Sequence, residues 1–279
     1  MLSPVFGQGR HRRNGRLLIN LALLLVILIF GLPFVWVVVL AFDREVGAAW
    51  PWPNEPTLAN FRTLLDEEEI GTALKNSLLV VSLTTLLAVA LSALAGFGLS
   101  RLAWRWTGLA AFGLLLLYTF PLSTTMVPIN DLARRLELDN TYFGLILAQT
   151  AIALPFLIWL MKGYFDAIPR HIQEAAELDG ASRLRSWFDV LLPLVRPGLA
   201  VTAGLAFLTA WSEVLLVAAI VRGLPMATVS LRFMSAAQGD LDAPVVAALG
   251  VLYMTPVLVL FLVLRRAIAS GIGSAGQSI

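Results

Sequence analysis

"NSLLVVSLTTLLAVALSALAGFGLSR" (residues 76–101) runs from Asn76 to Ser100 without a charged side chain and closes on Arg101. A helix of about 20 residues crosses the ~30 Å hydrocarbon core of a bilayer, and this stretch is long enough to do so. Apolar runs of the same kind recur at about 17–42, 107–128, 142–161, 195–221 and 245–264, giving six candidate spans. The composition agrees: of 279 residues 58% are hydrophobic and 14% charged, with a mean hydropathy of +0.82, so lipid is the solvent. In lipid an unpaired backbone polar group is very costly, so runs of this length must be helices, and the short alternating strands of a β-barrel do not fit them. The expected fold is all-α and polytopic, with six transmembrane helices in a membrane domain at 17–268 between cytoplasmic tails at 1–16 and 269–279.

Arg10, Arg12, Arg13 and Arg16 precede the first run, as they would precede a signal peptide. "LLINLALLLVILIFGLPFVWVVVLAF" is too long for such a segment and has no small-residue cleavage site, so it reads as a retained helix. The absence of cysteine removes disulfides, thiolate metal sites and a cysteine nucleophile. Arg10, Arg12, Arg13, Arg16, Arg101, Arg105, Lys162, Arg170, Arg183, Arg185, Arg196, Arg265 and Arg266 fall on one side of six spans. These are 13 of the 20 cations, leaving seven for the other side. The positive-inside rule makes the richer side cytoplasmic, with both termini there.

On the outer side, the link from Asp43 to Lys75 carries Pro51, Pro53, Pro56, Trp50 and Trp52, a rigid turn at headgroup level. Its acidic run Asp66–Glu69 is either a solvated face or a docking patch for an external protein. "SRLAWRWTG" (100–108) reads as an interfacial anchor, and "INDLARRLELDNTYFG" (129–144) as a short helix lying at the outer interface. No internal repeat of the kind common in self-contained carriers is seen.

One polar stretch does not belong in a bilayer: "EAAELDGASRLRSWFDVLLP" (174–193), within a cytoplasmic loop at about 165–194. Pro169 suits a first helical turn, and Ile172, Ala175 and Ala176 share one side. Gly180 sits where a helix end favours a left-handed residue, and Ser182 is placed to cap a second helix. The reading is helix, glycine-hinged turn, helix, with a small-residue face that another protein can approach closely.

The spacing Glu174-Ala175-Ala176, three residues, Gly180, nine residues, Val190, one residue, Leu192-Pro193 resembles the EAA signature of the permeases of binding-protein-dependent ABC importers. "NSLLVVSLTTLLAVALSALAGFGLSR", "NTYFGLILAQ", "IPRHIQEAAELDGAS" and "WSEVLLVA" (211–218) look like the smaller permease of maltose-type carbohydrate importers. Trp211-Ser212-Glu213-Val214 stands where that subfamily usually has Trp-Asn-Glu-Phe, and the common Val-Lys-Gly tail is missing. The resemblance implies an importer-type ABC permease fold in a bacterial or archaeal plasma membrane. It also implies a coupling helix in which Glu174, Ala175, Ala176, Asp179, Gly180, Leu192 and Pro193 meet a cytoplasmic ATPase. The implied partners are a second homologous permease, two ABC ATPase subunits holding ATP and Mg, an extracytoplasmic solute-binding protein, membrane lipid and a sugar or oligosaccharide. No nucleic acid is implied.

No catalytic motif, metal-ligand spacing or phosphate loop appears, so the chain is expected to be a permease without catalytic residues, metal or cofactor of its own. Glu213 is a carboxylate deep within an apolar run. Such a charge costs at least ~2.5 kcal/mol at the bilayer centre unless it is paired or faces water. It is expected to line the solute path, to hold two permeases together, or to make a buried hydrogen bond. Trp211 beside it either stacks on a sugar or packs, and Ser212 belongs to the same group. Pro121 and Pro128 bracket Ser123, Thr124 and Thr125, and Pro155 lies in the fourth run, so local unwinding of the third and fourth helices would open a polar route there. The alternatives are an importer permease for another small solute such as glycerol phosphate, or an ion-coupled secondary carrier.

Overall fold

A computed structural model describes residues 8–44, 55–102 and 104–275, and the tails at 1–7 and 276–279 lie outside it. Among the described residues the only strand-like feature is an isolated bridge between Asp43 and Pro56, and everything else regular is helical. The helices are α1 (Gln8–Ala41), α2 (Ala59–Asp66), α3 (Glu68–Arg101), α4 (Thr107–Thr119), α5 (Leu122–Arg135), α6 (Tyr142–Asp166), α7 (Arg170–Leu178), α8 (Arg183–Ser186), α9 (Leu192–Leu194), α10 (Arg196–Ser212), α11 (Leu215–Ile220), α12 (Val229–Ser235) and α13 (Ala243–Ala275). A π-helical turn, Trp187–Leu191, joins α8 to α9. Four helices are long and apolar enough to cross a membrane: Ile19–Ala41, α3, α6 and Ala243–Arg265. Two bent pairs, α4 with α5 and the Arg183–Leu194 segment with α10, bring the number to six if each pair is one span.

Two compact units divide the chain. In the first, which runs to Asp66 and includes Gly239–Leu252, α2 is tied to the end of α1. Asn60 donates its amide to the carbonyls of Ala41 (3.0 Å) and Asp43 (2.7 Å), Thr57 N–H donates to Phe42 O, and the rings of Phe42 and Phe61 lie 5.0 Å apart. The proline-rich part of this link, residues 45–54, lies outside the described residues.

The second unit, Glu67–Gln238 with the chain from Tyr253 onward, is organised on the parallel pair α3 and α6. Three buried clusters succeed one another along that pair. Val80 with Leu145 and Ile146 receives Leu216, Val217 and Ile220 of α11. Ala88 with Ala153 and Leu157 receives Ala206 of α10. Ala93 with Met161 and Phe165 receives Trp187, Leu191 and Val195. Small residues let the helices close up: a Cβ on Gly96 would lie 2.8 Å from the backbone nitrogen of Lys162, and one on Gly198 would collide with the ring of Tyr164.

The first turns of α3 and α6 are knitted to the chain after α11 by polar contacts. Asn76 donates to the carbonyls of Pro225 and Ala227 (3.0 Å each) and accepts from Tyr142 OH (2.7 Å), while Ser77 Oγ accepts from Val229 N–H. Arg232, with a side chain only 12% exposed, faces Glu69 at 3.2 Å and Glu67 at 3.7 Å. The acidic run at 66–69 is thus partly an internal ion-pair site, neither only a solvated face nor wholly available for docking.

Several expectations need correction. Pro155 does not break the fourth span: α6 passes through it without interruption. The third span breaks at Phe120–Pro121, both extended, and turns by 91°, while Pro128 sits inside α5. A residue before proline disfavours the helical region, which is why α4 stops at Thr119. The short helix expected over 129–144 is only the end of α5, which begins at Leu122 and stops at Arg135. The fifth span is bent by 79° at its start and interrupted again after Ser212. Pro169 is the N-cap of α7, one residue before its first turn.

Candidate functional site

The segment 169–194 forms a helix, a turn and a second helix, as its residues suggest. Gly180 has φ +91°, and the Ala181 and Gly180 N–H groups donate to Ala176 O (3.0 Å) and Glu177 O (3.1 Å). That bond pair is a Schellman motif, which ends α7 and reverses the chain. Ser182 Oγ then accepts from Arg185 N–H at 3.3 Å and opens α8.

The two faces of this segment differ. On the inner face Ile172 and Leu192 pack against the cluster of Met161, Phe165, Trp187 and Leu191, and Arg101 donates twice to Ile168 O (3.2 and 3.1 Å). The arginine of the "anchor" stretch therefore holds the α6–α7 link to the end of α3. Leu192 belongs to this internal joint, Pro193 is half-buried beside it, and Ala176 is half-buried as well. The outer face carries Glu174, Ala175, Asp179 and Gly180, all exposed, together with three apolar side chains: Leu178 is 88% exposed, Leu184 63% and Phe188 52%. Those three were not singled out by sequence reading. The available signal was an apolar residue in a polar stretch, which hydropathy averaging hides.

The interruption of the fifth span places Glu213 differently from the expected mid-helix position. It is the C-cap of α10 with an extended backbone (φ −73°, ψ 120°); its carboxylate accepts from Leu216 N–H (2.9 Å) and its carbonyl accepts from Ser230 Oγ (2.8 Å). Two backbone groups freed by the break are satisfied in this way, as non-helical backbone at membrane depth requires.

Glu213 opens onto a cavity of about 340 Å³ that Tyr118, Phe120, Gln149, Thr209 and Ser212 also line. Thr209 Oγ1 donates to its own helix at Leu205 O (2.9 Å), and Ser212 Oγ to Leu208 O (2.8 Å), which leaves lone pairs on both oxygens. Gln149 is 5% exposed. Its Oε1 accepts from Thr84 Oγ1 (3.2 Å) and its amide nitrogen has no hydrogen-bond partner. Of the residues expected along a path, the structure brings Ser212 and Glu213 to this cavity. Of the two readings of Trp211, the structure shows packing: it is 2% exposed, its Nε1 donates to Tyr253 O (3.1 Å), and its ring stacks with Phe207 and Tyr253, so it is outside the cavity's lining. Ser123, Thr124 and Thr125 are not among the cavity's lining; the two threonine hydroxyls donate to Pro121 O and Leu122 O in the first turn of α5. Gln149, Tyr118 and Thr209 went unnoticed because each is a lone polar residue in an apolar run. Among the described residues no three His, Cys, Asp or Glu side chains are placed to hold a metal ion.

Comparison with known proteins places this architecture. The model of the binding-protein-dependent transport system inner membrane component family matches residues 5–274. A sulfoquinovosyl glycerol transport system permease of Agrobacterium fabrum is 31% identical over 90% of both chains. A trehalose transport system permease of Mycobacterium tuberculosis is 30% identical over 80% of this chain and 82% of its own. In structure, the chain is similar to a bacterial ABC transporter that imports the acidic polysaccharide alginate, with a TM-score of 0.79 at 19% identity, over 95% of this chain and 99% of that one. The chain therefore belongs to the family of binding-protein-dependent transport system inner membrane components, the permeases of ABC importers.

Proposed function

We propose that the chain is the smaller permease of an ABC importer for a sugar or oligosaccharide, working with a second homologous permease, two cytoplasmic ATPases that hold ATP and Mg, and an external solute-binding protein. Family membership sets the ion-coupled carrier aside, and the printed solutes of the relatives, trehalose and sulfoquinovosyl glycerol, support a carbohydrate.

The observation that carries the reading is the two-faced segment at 169–194. The exposure of Leu178, Leu184 and Phe188 within a polar segment supports a docking surface, and the exposed Glu174 offers a charge-assisted contact. Its inner face is locked to α3 and α6 by the Phe165–Trp187 cluster and by Arg101. Displacement of the docked ATPase would therefore move the paired helices that also hold the Gln149–Glu213 cavity, which is the connection an alternating-access transporter needs. The cation asymmetry supports a cytoplasmic position for this segment and for both termini.

The test is co-purification and uptake. Leu178→Glu and Ala175→Leu alter exposed side chains only, so the chain should reach the membrane at parental levels. Recovery of the ATPase should fall at least tenfold, with loss of binding-protein-dependent uptake. A charge change at Glu68, also exposed, should alter neither. Normal ATPase recovery in both variants would refute the assignment.

A further inference from the structure

We propose that the cavity bounded by Gln149 and Glu213 is a subsite in this chain for a neutral, hydroxyl-rich solute, and that Glu213 makes it reject the anionic counterparts of that solute. The proposal rests on the permease reading above and goes on to name the charge class of the solute.

The argument is a donor and acceptor count. Hydroxyl hydrogens of Thr209 and Ser212 are committed to Leu205 O and Leu208 O, so both oxygens face the cavity's solute as acceptors. Glu213 adds a carboxylate, an acceptor only. The donor that the lining presents is the hydroxyl of Tyr118, a side chain 42% exposed; the amide nitrogen of Gln149 has no partner but is sealed from the cavity in this conformation. A sugar hydroxyl matches this set, because each donates one hydrogen and accepts others: donation to Thr209, Ser212 or Glu213 can be combined with acceptance from Tyr118. A sulfonate, phosphate or carboxylate group brings acceptors alone. It would meet Glu213 with no arginine, lysine or histidine in the lining to offset the like charge. The chain's preference would then differ from the printed solutes of two similar proteins, sulfoquinovosyl glycerol, whose sugar carries a sulfonate, and the acidic polysaccharide alginate.

The test measures solute binding directly on the complex of this chain with its partner permease and ATPases in nanodiscs, without binding protein, so that the binding protein's own selectivity does not enter. Probe pairs differ only by a carboxylate in place of a CH2OH group: methyl α-glucoside against methyl α-glucuronide and methyl β-glucoside against methyl β-glucuronide, read by saturation-transfer NMR titration. At least one neutral glycoside should bind, with its glucuronide weaker by tenfold or more. Glu213→Gln, whose amide oxygen can still accept from Leu216 N–H, should shrink that gap to under threefold. Glu213→Asp should keep it, and Tyr118→Phe should weaken the neutral sugar at least fivefold with the gap unchanged. A glucuronide within threefold of its neutral partner on the parent complex overturns the proposal and leaves the permease reading standing, as does a gap that Glu213→Gln does not alter. If no probe binds while uptake driven by the binding protein proceeds, the cavity is off the solute route, and the assignment of this site falls with the proposal.

Discussion

Replacing Gly180 by valine should loosen the helix–turn–helix at 169–194, the segment proposed to meet the ATPase, without disturbing the membrane helices. At φ +91° the backbone lies in a region where an L side chain costs about 1–2 kcal/mol, and a β-branched one more. No atom lies within 4 Å of a Cβ placed there, so the cost is one of backbone conformation and not of collision. Relaxing it means turning φ negative, which breaks the bonds to Ala176 O and Glu177 O that terminate α7. An isolated nine-residue helix is marginal in water, so a loss of about 2 kcal/mol, roughly a 30-fold change in the local equilibrium, is enough to fray α7 while α3 and α6 stay packed. Hydrogen exchange over residues 170–182 in the assembled transporter should rise by one to two orders of magnitude, and substrate-stimulated ATP hydrolysis should fall with uptake. Gly180→Asn, which tolerates positive φ, should fall between the parent and valine. A valine variant with parental exchange protection and parental uptake would refute the idea that this turn transmits the motion.

Two further predictions concern packing and topology. Gly96→Ala must push Met161 and the Lys162 backbone away and should lower stability by about 1–3 kcal/mol, whereas Gly98→Ala, on the same helix with open space around it, should be neutral or slightly stabilising; equal melting temperatures for the two would contradict the close crossing of α3 and α6. Single cysteines at the exposed Glu68 and Ser182 of this cysteine-free chain should react with a membrane-impermeant reagent from outside only at position 68, and labelling of Ser182→Cys from outside would reverse the proposed orientation.

What the residues determined by themselves is the all-helical membrane class and the helix–turn–helix at 169–194. Apolar length is a property of composition, and lipid leaves such runs no structure but a helix. The helix–turn–helix is local too: Gly180 and Ser182 act within one turn of their own position, so their spacing carries the geometry. The tertiary structure decided where the spans break. Pro121 and Pro155 look alike in the sequence, yet one ends a helix and the other is absorbed in α6, because the missing hydrogen bond can be tolerated wherever neighbours hold the rest of the helix. Glu213 reads as a buried charge in a continuous span; it sits at a helix break because Ser230, 17 residues away, takes up its carbonyl, and because its own carboxylate turns to cap Leu216. Gln149 becomes part of a site only when α4, α6 and α10 converge. Such contacts depend on atoms far apart in the chain, and a single apolar run contains no record of which partner will satisfy the polar group inside it.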